Sequence, residues 1–248
     1  MGNIMNTGYF VGNLKTLISD EQYSDILEYS KQLKGLSDEE KIKRNWNYRV
    51  DVNYEEIDET GASHTRGMHR KFNLNQEDGS ADVNFVKKAY EFKKQINEST
   101  TYITEQSFWE FQASHDSDNP QFKQFKKLST DIVKELYPDN NYEINSFKES
   151  GWLTLFEKED MISPHRDGRN PGRVCAILIY LNDDWKEGDG GELVVIDKQN
   201  EKIKIPPKFG TTVVLDFTLE ENNISHSVLP IQGDFKRWAY IRFPTTHK

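Results

Sequence analysis

One cysteine stands in a chain of 248 residues. An internal disulfide needs two, and a cysteine-based zinc site needs more, so both are excluded. Cys175 sits among Val174 and Ala176 to Leu178, the company of a small core residue. Long apolar runs are also missing. None approaches the roughly 20 residues of a membrane span. Hydrophobic residues make up 35% of the chain, enough for one sizeable core under a very polar surface. An excess of positive charge is missing too. The formal net charge is −9, which argues against a phosphate-backbone partner. A basic stretch interleaved with aromatics is lacking, which speaks against nucleic-acid demethylation. Residues Met1 to Gly8 lack a charged-then-apolar leader. The expectation is a soluble, cytoplasmic protein with no nucleic-acid or membrane partner.

No internal repeat, low-complexity tract or linker divides the chain. A single domain over 1–248 is expected, with 1–140 as helical support and substrate-side loops and 141–248 as a β core carrying the site. Ser19 followed by Gln22 fits a capping box, and Tyr23, Ile26, Leu27 and Leu33 keep helical spacing. Together they predict a helix over 19–34 that stops at Gly35. Residues 36–81 are polar, with a possible strand over 45–50 and loop composition over 60–68. The spacing of Phe85, Ala89, Phe92 and Ile96 predicts a helix over 82–97. Residues 100–113 fit either a strand or a short helix. Asn119 and Pro120 open a third helix, whose stripe runs from Phe122 to Leu136 before Pro138.

Beyond Pro138 the texture changes to short strand-like runs. They cover 152–156, 174–181, 192–197, 202–205, 211–217 and 238–243, separated by glycine- and proline-bearing turns. Regular short strands with glycine turns suggest a jelly-roll or cupin-like sandwich. The fold class expected is mainly β with α support, a double-stranded β-helix flanked by N-terminal helices.

His165 and Asp167 lie two positions apart. On an extended segment alternate side chains share a face, so imidazole and carboxylate can point the same way. His226 is the candidate third ligand. Two histidines and one carboxylate leave metal positions open, the pattern of non-haem Fe(II) oxygenases. His64, His69, His115 and His247 lie in polar surroundings and read as solvated.

From Trp152 to Phe243 the chain resembles the Fe(II)/2-oxoglutarate dioxygenase superfamily, in its prolyl 4-hydroxylase-like branch. The pieces occur in order. Trp152-Leu-Thr-Leu-Phe156 leads into His165-Arg-Asp167. Arg173 to Asn182 ends in Tyr-Leu-Asn, and Gly190-Gly-Glu-Leu193 follows. Pro207 to Phe217 precedes His226-Ser-Val-Leu-Pro230, and Arg237 to Phe243 closes the set. The resemblance implies Fe(II) held by His165, Asp167 and His226, with 2-oxoglutarate and O2 as co-substrates and ascorbate as a possible aid. It implies Arg237 as the cation for the far carboxylate of 2-oxoglutarate; a surface pair with Asp234 is the alternative. Tyr180 either adds a hydroxyl there or is a core tyrosine. Arg173 and Arg242 read as structural or surface residues. Halogenating relatives lack the carboxylate, so Asp167 points to hydroxylation of an aliphatic carbon, with succinate and CO2 released.

Substrate determinants are expected on loops over the mouth. Arg66 and Arg70 are candidates for a substrate carboxylate, Glu149 for a substrate amine, and 168–172 for a lid. The expected substrate is a small amino acid-like or natural-product molecule. A peptidyl residue such as proline is the alternative, and a non-catalytic cupin-like binding protein is a third reading.

Overall fold

The computed structural model describes residues 7–44, 46–57, 63–73, 102–112, 118–138, 151–167, 173–218 and 224–245; for 42, 49–57, 63–73, 102–106 and 112 it describes the backbone only. Twelve strands, three α-helices and one 3-10 turn, Leu14–Thr16, are found among them. The strands are β1 (Tyr9–Asn13), β2 (Asn47–Ile57), β3 (Ser63–Asn73), β4 (Tyr102–Gln112), β5 (Trp152–Phe156) and β6 (Ile162–His165). They continue with β7 (Cys175–Tyr180), β8 (Leu193–Ile196), β9 (Lys202–Ile205), β10 (Thr211–Asp216), β11 (Ser225–Val228) and β12 (Arg237–Arg242). The helices are α1 (Asp20–Lys34), α2 (Asp38–Lys43) and α3 (Pro120–Leu136).

All the strand pairs are antiparallel. The larger sheet runs β1-β10-β7-β12-β5-β4, with β2 and then β3 beyond β4; the smaller runs β6-β11-β8-β9. One register pair, Gln106 opposite Ile162, joins them. Two antiparallel sheets facing each other make a jelly roll.

Both long helices start where the sequence signals them. Ser19 Oγ accepts from Gln22 N, while Gln22 Oε1 accepts from Ser19 N, a reciprocal cap. Asn119 Oδ1 accepts from the amides of Gln121 and Phe122, and Pro120 opens α3. A cap of this kind contributes about 1 kcal/mol. Most of the stability comes from the faces the helices bury. Ile26, Tyr29 and Leu33 of α1, with Phe122, Phe125 and Ile132 of α3, share a core with the outer face of the larger sheet. Phe125 stacks on Tyr240 at 4.7 Å between ring centroids.

The central strands are covered on both sides. On β7, Cys175, Ile177 and Ile179 face the helices, while Ala176, Leu178 and Tyr180 face the space between the sheets. All six are buried. β12 divides in the same way. Trp238 and Tyr240 belong to the helix-side core. Arg242 donates Nη1 to Lys126 O, Ser129 Oγ and Thr130 Oγ1 of α3. Its structural reading therefore holds. Arg237 is fully buried and lines the cavity between the sheets.

The fold departs from expectation in the first half of the chain. Four strands, β1 to β4, accompany the helices there. The expected loop over 60–68 mostly belongs to β3, and 100–113 resolves as strand β4. β3 has few apolar side chains, and β2 is its one partner among the described residues. Edge strands are commonly charged because polar side chains discourage further pairing. Backbone pairing to β2 over eleven register positions holds β3 without an apolar stripe. The expected helix over 82–97 lies outside the described residues.

Candidate active site

β6 and β11 lie side by side, and register sets His226 directly opposite His165. The two imidazole centroids are 4.3 Å apart. Asp167, just past the end of β6, closes the group. Its Oδ1 is 3.5 Å from His165 Nε2, and its Oδ2 is 3.5 Å from His226 Nε2. One ligand atom from each residue falls within 4.8 Å of the others. The imidazoles are pre-set by the main chain. His165 Nδ1 lies 2.9 Å from Ser163 O, and His226 Nδ1 lies 3.4 Å from Ile224 O. A carbonyl can only accept, so Nδ1 carries a proton in each ring, and a metal would take the place of any proton that Nε2 shares with Asp167.

The electrostatics agree with the geometry. Burial on its own raises the Asp167 pKa, but hydrogen bonds from His165 and His226, with their charge, outweigh it. The carboxyl is held well below the usual range. Burial on its own lowers the His165 pKa, and the hydrogen bond and charge of Asp167 turn the balance upward. Two imidazoles and a carboxylate converging on one point fit a divalent iron with open positions.

Arg237 begins β12 and faces the same cavity. Its Nε donates to Gly191 O at 2.8 Å, and Nη2 donates to Tyr180 Oη at 3.2 Å. Its Nη1 is buried with no partner among the described residues. The guanidinium lies 4.7 Å from the Phe156 ring centroid and 4.9 Å from that of Tyr180. Burial lowers its pKa, yet a guanidinium starts so high that it stays charged. Burial likewise raises the pKa of Tyr180, keeping the phenol protonated and able to donate. A fully buried cation with an unused donor is costly unless an anion meets it. Asp234 is exposed and makes no pair with Arg237 among the described residues, so the surface alternative for Arg237 falls away.

Triad and arginine share a cavity of about 320 Å³. Its walls include Phe108, Leu178, Leu215 and Val228, with Glu110 and Arg173 as further charged members. Glu110 is buried. Arg173, earlier read as structural or surface, stacks its guanidinium 4.2 Å from the Phe243 ring centroid. Trp152 lines the cavity and packs edge-on against Phe243 at 5.8 Å. It is a wall residue, whereas Trp238 belongs to the helix-side core.

The three expected ligands and Arg237 are therefore brought together, with Tyr180 beside Arg237. Arg66 and Arg70 fall on β3, opposite Tyr54 and Val50, in a stretch whose backbone alone is described. Glu149 and 168–172 lie outside the described residues. Glu110 and Arg173 were not among the expected substrate residues. Alternation was the available signal for Glu110. Once 102–112 is a strand, Phe108 and Glu110 share one face while Trp109 and Phe111 take the other.

Residues 151–243 match the family model described as the 2OG-Fe(II) oxygenase superfamily. Among solved structures, a prolyl-4-hydroxylase from Pseudomonas putida aligns over 98% of this chain and 95% of its own, at 13% identity and a TM-score of 0.52. The non-heme alpha ketoglutarate dependent epimerase SnoN from nogalamycin biosynthesis aligns over 97% of this chain and 78% of its own, at 9% identity and a TM-score of 0.51. Likeness at such identities shows a shared fold. No curated protein sequence matches the chain.

Proposed function

We propose that this chain, which through residues 151–243 belongs to the 2OG-Fe(II) oxygenase superfamily and is an oxygenase, hydroxylates an aliphatic carbon of a small amino acid-like or natural-product molecule. The family uses Fe(II), 2-oxoglutarate and O2. His165, Asp167 and His226 would hold the iron. Arg237, with Tyr180, would hold the far carboxylate of 2-oxoglutarate. Bound there, iron, 2-oxoglutarate and O2 supply the oxidising power for C–H hydroxylation, with succinate and CO2 released.

The protein's part is ligation, orientation and exclusion of water. Main-chain carbonyls fix both imidazoles before metal arrives, so little order is lost on binding. The guanidinium fork can accept a carboxylate through Nη1, with the Tyr180 hydroxyl beside it. Apolar walls from Phe108, Leu178 and Leu215 keep this part of the cavity dry and strengthen each charge-assisted bond. The observation that carries the reading is Arg237 Nη1, without a partner among the described residues and buried in the same cavity as the triad.

Size and charge support a small substrate. The cavity lies near the lower end of the roughly 300–1,000 Å³ usual for ligand pockets, and the co-substrate takes part of it. Besides the triad and Arg237, the cavity wall includes one acidic and one basic side chain, Glu110 and Arg173. A molecule with an amine and a carboxylate matches that pair. Peptidyl hydroxylation, on proline for instance, is the second reading. It draws on the fold shared with the Pseudomonas enzyme, which speaks for scaffold rather than substrate.

The test is succinate release with Fe(II), ascorbate and 2-oxoglutarate, comparing free amino acids with proline-containing peptides. Stimulation by a free amino acid supports the first reading, and stimulation by peptides alone replaces it with the second. Absence of both turnover and retained metal would leave a non-catalytic binding protein.

A further inference from the structure

We propose that the loop from Trp185 to Gly191 positions Arg237 relative to the metal triad and so gauges the length of the dicarboxylate accepted, with Trp185 as the residue that locks it. This rests on the 2-oxoglutarate reading above and adds residues that reading does not use.

The loop is bonded to both halves of the site. Gly191 O accepts from Arg237 Nε, and Gly191 N donates to Leu229 O at 3.2 Å. Gly190 forms a bridge with Ile231, and Gln232 N donates to Asp189 O at 2.7 Å. Leu229 follows directly on β11, the strand that carries His226. One side of the loop thus grips the tail of a ligand strand, and the other holds the cation that would meet the far carboxylate.

The grip is close. Gly190 and Gly191 both have φ +74°, a left-handed backbone that suits glycine. A Cβ at Gly190 would lie 2.0 Å from Pro230 O. At Gly191 it would lie 2.6 Å from Ile231 Cδ1 and 3.0 Å from Arg237 Cδ. Trp185 closes the loop by donating Nε1 to Gly190 O at 2.9 Å. Lys208 Nζ covers its ring at 5.4 Å from the centroid. On the outer turn, Lys186 N donates to Asp189 Oδ2 at 2.7 Å. Trp185 holds the Gly190–Gly191 peptide, and the next peptide along presents Gly191 O to Arg237, so loss of the Trp185 bond loosens the immediate neighbour of the peptide that aims Arg237. The imidazoles are tied elsewhere, to Ser163 and Ile224, and are left in place.

The experiment measures binding without turnover, by calorimetry on Mn(II)-loaded protein. The probes are 2-oxoglutarate, its one-carbon-longer homologue 2-oxoadipate, and 2-oxobutyrate, which has the keto acid end but no far carboxylate. Trp185→Phe is expected to weaken 2-oxoglutarate about tenfold, the lower end for loss of an outer-shell partner. Mn(II) and 2-oxobutyrate affinities stay unchanged, and the preference for 2-oxoglutarate over 2-oxoadipate narrows. Trp185→His, which keeps a ring N–H, recovers part of the loss. In an Arg237→Ala background Trp185→Phe has no further effect. Unchanged 2-oxoglutarate affinity in Trp185→Phe overturns the proposal, and so does an equal loss for 2-oxobutyrate. If Trp185→Phe fails to fold, Asp189→Ser loosens the same loop from its outer turn, and the same selective loss is required of it. Failure of the wild type to bind 2-oxoglutarate overturns the parent reading instead.

Discussion

His165 and His226 face each other across one strand pair, and each has Nδ1 directed at the carbonyl two residues before it, Ser163 for one and Ile224 for the other. The same local device is thus used twice. On each strand the peptide preceding the histidine by one residue orients the ring, so the second layer of the site is made of main chain. Side-chain substitutions nearby leave that layer in place.

Removing a ligand should therefore remove metal without unfolding the chain. His165→Ala, Asp167→Ala and His226→Ala are each expected to reduce succinate release to background. Metal analysis of purified protein should show lost iron, while far-UV circular dichroism stays that of the wild type. Turnover retained in any of the three strikes that residue from the ligand set.

Arg237→Ala should act on the co-substrate. Truncating one side of a buried charge pair costs about 2–5 kcal/mol, so the 2-oxoglutarate KM should rise roughly thirtyfold or more. Arg237→Lys should fall between, because an ammonium lacks the guanidinium's planar fork. An unchanged KM would assign the carboxylate to another cation.

Protons should compete with iron over a defined range. Asp167 raises the His165 pKa above 6.5 in the metal-free site. A raised imidazole pKa stabilises the empty folded chain below the unfolded value, and this contribution is lost as pH rises through the folded value. Metal binding has the opposite sign, since it needs the neutral ring. Mn(II) affinity is therefore expected to begin falling while pH is still above 6.5 and to keep falling below it. The Asp167 carboxyl, held low, remains ionised throughout. Titration calorimetry at several pH values checks this; flat affinity down to pH 5.5 contradicts it.

Glu110→Gln and Arg173→Met should separate substrate from co-substrate. Both are expected to raise the KM for the organic substrate while leaving that for 2-oxoglutarate unchanged. Equal effects on both co-reactants would place these residues on the 2-oxoglutarate side.

Phe125→Ala tests the support rather than the chemistry. The ring is fully buried and stacked on Tyr240. Its loss should destabilise the chain by about 3–5 kcal/mol, read from denaturant midpoints. Below the melting range, the KM for 2-oxoglutarate should hold. A change in that KM at full folding would mean that α3 reaches the cavity through β12.

The second half of the chain was largely legible in its residues, because its strands are short apolar runs bounded by glycine and proline. Predicted and observed limits agree to the residue at 152–156 and 202–205 and to within one at the other four. Two strands escaped, β6 and β11, and these carry the histidines. Ile162-Ser-Pro-His165 and Ser225-His-Ser-Val228 have too little apolar surface to look like strands, since serine, proline and histidine fill positions that an apolar run would need. The first half was harder for a different reason. Long strands such as β2 and β3 are held by each other's backbone, and hydrogen-bond ladders leave no mark on composition. The candidate metal ligands, His165, Asp167 and His226, were readable from type, spacing and family resemblance, and the structure brings them together. Glu110 was not, because a lone glutamate in an ambiguous stretch shows its facing only once the strand is known.

Strands β7 and β12 are packed on both faces, which gives each two separate audiences. Along β12, Arg237 and Ile241 address the cavity, while Trp238, Tyr240 and Arg242 address the helices. A lineage could rewrite Ile241 and other cavity-facing positions that do not hold the co-substrate, and take up a new substrate without disturbing the helix-facing set, so drift in specificity need not erode the fold.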